Sequence, residues 1–168
     1  MLDQLIKLVE QNAGKAIVNN SAIPNQHNNA AIQEVASQIF NGLQLQAKQG
    51  NLTQLVGLFQ GGGSSLTSNP IISSLITSVA SSVASKFGIS PQAAQSMASS
   101  LLPTVMSQLV TKTNDPTDSS FDLGGILKTV SGNSGLDVGS LIGQVAGGDG
   151  KGALGGLGGM LGGIFGKK

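Results

Sequence analysis

Residues 69–113 constrain the fold more tightly than any other stretch of this chain. The run NPIISSLITSVASSVASKFGISPQAAQSMASSLLPTVMSQLVTKT opens on Asn69, a good N-cap, and Pro70, which suits a first helical position. Ile72, Leu75, Ile76, Val79, Ala80, Val83, Ala84 and Phe87 then recur at helical spacing as one apolar stripe. The opposite face is Ser73, Ser74, Ser78, Ser81, Ser82 and Ser85. Gly88 suits a left-handed stop, Ile89 folds back on the helix, and Ser90-Pro91 starts a second helix at once. The stripe of that helix is Ala94, Met97, Ala98, Leu101, Leu102, Val105 and Leu109. Pro103 lies inside this period, so a kink or a short break is expected there. A pattern of two capped helices with a three-residue joint admits a helical hairpin and little else.

The flanks read as more helix. Leu2, Leu5, Ile6, Val9, Ala13 and Ile17 define an amphipathic first helix, which the Asn-rich run to NQHNN interrupts. A second helix is predicted from about Asn29 to Ala47, with Ile32, Val35, Ala36, Ile39, Phe40 and Leu43 on one face. Three short segments share one template of a capping residue, two apolar turns and a glycine stop. They begin at Asn51, Asp122 and Asp137 and stop at Gly61, Gly132 and Gly147. Helices that short are unstable alone in water and must dock. The chain therefore divides into N-terminal helices (1–60), a Gly/Ser linker (61–69), the central hairpin (70–113), the mini-helix repeat (114–149) and a Gly/Leu-rich end (150–168). The fold class is all-α: a small helical domain with a central hairpin and short Gly-capped amphipathic mini-helices.

Composition then excludes several functions. Charged residues make up 10% of the chain, against about 25% in an ordinary globular protein. There is no Arg, no Trp and no Tyr. Guanidinium recognition of phosphate or guanine is impossible, and base stacking has almost no aromatic side chain to use. Nucleic acid is thus a poor partner, although a hairpin with a Gly-containing joint has a helix-turn-helix outline. The early exposed positions of its second helix are Gln92, Gln95 and Ser96, with Lys86 the only cation nearby.

Catalytic chemistry is equally poorly provided for. There is no Cys and one histidine, His27, whose nearest acid in sequence is Glu34. His27 reads as a solvated loop residue. No metal-ligand spacing, phosphate-loop signature or nucleophile elbow occurs. Asp115, Asp118 and Asp122 read as a capped turn rather than a cation site. The expectation is a non-enzyme with no cofactor and no metal. The N-terminus lacks the apolar run of a secretory signal, and no apolar stretch reaches the roughly 18–20 residues of a spanning helix, so a cytoplasmic protein is expected.

One resemblance goes further. SSVASKFGISPQAAQSMASSLLPTVMSQLVTKTNDP, flanked by LVGLFQGGG and DLGGIL, resembles the YidB-like bacterial family of unknown function. The match is best from about Asn69 to Asp122, through Phe87-Gly88-Ile89-Ser90-Pro91 and Leu101-Leu102-Pro103. The resemblance implies an all-helical fold with a homeodomain-like arrangement. It implies no catalytic residues.

The last nineteen residues, GKGALGGLGGMLGGIFGKK, decide what else is expected. As a helix, Gly152–Gly166 would rise about 22 Å, short of the roughly 30 Å hydrocarbon core. Its eight glycines cost about 8 kcal/mol against alanine, so it cannot be helical alone. Leu154, Leu157, Met160, Leu161, Ile164 and Phe165 keep helical spacing, and burying them returns on the order of 9–18 kcal/mol. These six are the expected interaction residues: a segment that orders when it finds an apolar groove. The leading functional expectation is a helical interaction or self-assembly protein whose partner is itself or another protein. Peripheral membrane association through the C-terminus and DNA binding through the hairpin are the alternatives.

Overall fold

A computed structural model describes residues 1–61, 66–118 and 121–132, together with 139, 140 and 143. Its α-helices are α1 (Leu2–Ala13), α2 (Asn28–Lys48), α3 (Leu52–Gln60), α4 (Pro70–Phe87), α5 (Pro91–Thr113) and α6 (Leu123–Ser131). The described residues contain no strand. The all-helical fold expected from the sequence is therefore the one observed.

Local chemistry sets the ends of the hairpin helices. The Asn69 side chain accepts from the Ile71 N–H at 2.9 Å, and Pro70 opens α4. Gly88 closes α4 at φ 65°, in the left-handed region that glycine enters without strain. Ser90 then accepts from the Ala93 N–H at 3.2 Å and α5 begins. The first helix departs from the simple reading. Its α-helical part ends at Ala13, and Gly14–Val18 is a π-helical turn closed by the Asn19 N–H on the Gly14 carbonyl at 2.9 Å. Ala13 before the turn and Ile17 within it are both fully buried.

Pro103 does not break α5, which runs unbroken from Pro91 to Thr113. The ring removes the N–H that would reach the Ser99 carbonyl, but Ser99 lies on the exposed face, where water can donate to that carbonyl instead. Of the short-helix template, the Asp122 copy holds: Asp122 accepts from Gly125 at 2.8 Å and Gly132 stops α6 at φ 66°. The Asn51 copy folds as a helix without that cap. Asn51 donates back to Gln46 Oε1 at 2.7 Å, and Gly61 closes α3 through the Gly57 carbonyl with a negative φ. The copy beginning at Asp137 lies almost wholly outside the described residues.

The hairpin forms the middle of the molecule. α4 packs most extensively on α5, α2 lies against α4, and α1 spans α2 and α5. α3 and α6 dock on α2, as helices of their length must. One continuous core results, from Leu5 and Val9 through Val35, Ile39, Val79 and Val83 to Leu102, Val105 and Leu127. At Gly42 of α2 an added Cβ would sit 2.1 Å from Leu75 Cδ2 of α4. Glycine there lets α2 press on α4.

Candidate functional site

Two features of the α2–α4–α5 layer carry chemistry. The first is a polar knot at the α2–α4 seam. Glu34, at 7% exposure, is the one buried charged residue among the described residues. It sits among the core positions Ala31, Ile32 and Val35 of α2, so the helix periodicity that buries those residues carries the carboxylate inward. Ser82 and Lys86, one turn apart on α4, both donate to it, Ser82 to Oε1 and Lys86 to Oε2. Gln38, one turn along α2, donates to Oε1 at 2.9 Å and reaches Ser82 Oγ at 3.2 Å. Burial by itself pushes the Glu34 carboxyl up. The hydrogen bonds from Lys86, Ser82 and Gln38, with the Lys86 charge, outweigh it and hold the pKa below the ordinary glutamate value. Both oxygens are occupied by donors, so the group acts as a clasp between helices rather than as a waiting base.

A shallow depression of about 390 Å³ lies beside this clasp, walled by Gln33, Ser37, Lys86 and Phe87. His27 is not the freely solvated loop residue expected. It is half-buried and its ring stands 5.9 Å from that of Phe87, tilted by 46°. It does not reach Glu34 through any hydrogen bond; its ring nitrogen lies 3.4 Å from Gln26. The three aspartates resolve as the expected turn. Asp115 accepts from the Thr117 N–H and hydroxyl, which lower its pKa. Asp118 pairs with Lys112 and Asp122 caps α6. Among the described residues, no three His, Cys, Asp or Glu side chains gather as a metal site.

The second feature is the outer surface of the hairpin. Ser73, Ser74, Thr77, Ser78, Ser81 and Ser85 are exposed along α4. Gln92, Gln95, Ser96, Ser99, Ser100, Thr104, Ser107 and Thr111 are exposed along α5. The two helices hold only two charged side chains, and each is already paired: Lys86 with Glu34, and Lys112 with Asp118 at 3.1 Å. Several hydroxyls turn back to their own helix, as Thr77 does to the Ser73 carbonyl and Thr111 to that of Ser107. The result is a long polar surface carrying almost no net field.

The interaction residues expected at the C-terminus, Leu154, Leu157, Met160, Leu161, Ile164 and Phe165, lie outside the described residues. The Glu34 clasp was not foreseen. Its one sequence signal is an acid inside an apolar helical stripe, and its partners are 48 and 52 residues away. Among the described residues no helix is long and apolar enough to cross a membrane. A family model described as a bacterial protein of unknown function, DUF937, matches residues 69–168. That span starts at the cap of α4, and the YidB-like resemblance agrees with it. No curated protein and no solved structure is detectably similar to the chain.

Proposed function

The chain belongs to this bacterial family of unknown function, and from that premise we propose that it is a non-enzymatic scaffold that associates with itself in the cytoplasm. The observation that carries this reading is the charge-neutralised outer face of α4 and α5. Surfaces that avoid association ordinarily carry interspersed charge, which repels a second copy at short range. Here Lys86 and Lys112 are both satisfied within the chain. Two such faces meet without desolvating an unpaired ion, and serine side chains let helix backbones approach closely. In this reading the hairpin is a homeodomain-like unit used for helix-to-helix contact, because the exposed start of α5 offers Gln92, Gln95 and Ser96 and no cation for a phosphate.

The test is particle mass by light scattering across a dilution series, with a charged variant beside the wild type. Mass should rise with concentration. Ser78→Glu combined with Ser99→Glu should return it to the monomer value while leaving the unfolding free energy within about 0.5 kcal/mol, since both positions are exposed. A wild type that stays monomeric at high concentration would overturn the reading.

A further inference from the structure

The chain has five prolines, and one stands where prolines are least tolerated. Pro70 and Pro91 open α4 and α5, where the backbone N–H has no helical partner in any case. Pro24 and Pro116 lie between helices. Pro103 alone is inside a helix, near the middle of α5. It has no N–H, so the Ser99 carbonyl lacks its donor one turn on. Among the described residues no hydroxyl replaces that donor. Thr104, beside the proline, donates to the Ser100 carbonyl at 3.3 Å, and Ser100 donates to that of Met97 at 3.0 Å. Ser99, Pro103 and Ser107 are spaced i, i+4, i+8 and share one face, with both serines exposed and the ring half-buried. Among the described residues the Ser107 hydroxyl does not turn back to its own helix, as that of Thr111 does at 2.9 Å. The stripe therefore presents an acceptor without a donor on one side of a proline ring and a donor without an acceptor on the other.

We propose that two copies of the chain meet on this stripe: α5 packs antiparallel on α5 of a second copy about a two-fold axis at Pro103, and the Ser107 hydroxyl of each donates to the Ser99 carbonyl of the other. The inference rests on the self-association proposed above and names its contact. Ser99 and Ser107 each lie four residues, about 6 Å of helix rise, from Pro103. A two-fold axis at that residue brings Ser99 of one helix level with Ser107 of the other. The bond then forms twice, once in each direction, as a self-complementary contact requires. The two proline rings supply a small apolar centre between the bonds, inside a polar surround. A second copy is the occupant that fits. The stripe holds no charge to call for an ion, and its donor and acceptor carry the spacing that only another copy is bound to match. In the separate chain water donates to the Ser99 carbonyl, and in the pair the second copy's Ser107 displaces that water.

Pro103→Ala gives the Ser99 carbonyl a donor within its own chain, so folding and association should move in opposite directions. The unfolding midpoint of the dilute protein should rise, while sedimentation equilibrium shows the dissociation constant of the pair increase about tenfold, the worth of two ordinary hydrogen bonds. Ser107→Ala should weaken the pair by a similar factor with the midpoint unchanged. The double variant should pair no more weakly than the weaker single one, because both changes remove the same bond. The chain has no cysteine, so single spin labels report the geometry. In the antiparallel pair, labels at Gln92→Cys should lie about 33 Å apart along the helix and labels at Ser96→Cys about 21 Å. Equal separations at the two positions would mean a parallel pair and overturn the two-fold. A wild type that pairs while either Pro103→Ala or Ser107→Ala pairs as tightly would overturn this contact and leave self-association through another part of the face standing. A wild type that stays monomeric at high concentration would overturn both readings.

Discussion

At the residue scale the most informative side chain is Glu34. Replacing it with Ala removes the acceptor shared by Ser82, Gln38 and Lys86 and leaves the two neutral groups part-buried without it. A loss of about 1–3 kcal/mol in urea unfolding is expected, mostly from the hydrogen bonds, because the Lys86 side chain is largely exposed and its charge is screened. The same group sets a pH dependence. Its folded pKa is lowered below 4.5, so its contribution is fully present above that value and is lost as pH falls through the folded pKa. The stability gap between wild type and Glu34→Gln should therefore be level from neutrality down to about pH 5 and shrink in more acid solution. Gly42 makes a second test. Ala at this position gains about 1 kcal/mol in helix propensity but forces Leu75, 2% exposed, out of place. Overpacking of about 1–3 kcal/mol should leave a net loss, and Leu75→Ala in the same chain should make the Gly42→Ala cost disappear.

At the scale of the element, caps and breakers decide. Asn69, Ser90 and Asp122 each accept a backbone N–H from the first turn of their helix, so alanine at any of them should cost about 1 kcal/mol in thermal or urea unfolding. Asn51 makes no such bond, and Asn51→Ala should cost less than the other three. These caps were legible because a cap needs only residues two or three apart. Asn51 misled because Gln46, five residues back, offered its side chain another partner. Pro103 sits inside α5 without breaking it. Here the period on both sides of it buries Leu102 and Val105 and turns Ser99 to solvent. Pro103→Ala should raise stability by about 1–3 kcal/mol, read as a higher unfolding midpoint.

At the scale of the whole molecule, the family match and the core do not share a boundary. The match begins at residue 69, yet α1 and α2 cover the apolar faces of α4 and α5 and leave Val79, Val83, Val105 and Leu109 at 0% exposure. A chain reduced to residues 69–168 uncovers those side chains. It should unfold without a sharp transition and bind a hydrophobic dye that the intact protein does not, both measurable by fluorescence during denaturation.

The sequence alone determined the all-helical class, the hairpin and its stops, and most of the core, because periodicity and capping are properties of neighbouring residues. It also determined which chemistries are unavailable, since a residue type that is absent cannot be supplied by folding. Tertiary structure decided what distance in sequence conceals. It brought Glu34 against Ser82 and Lys86, set His27 on Phe87, and pressed α2 onto α4 at Gly42. Above all it showed that both lysines of the hairpin are consumed within the chain. A count of charges does not reveal that, because pairing depends on which helices meet.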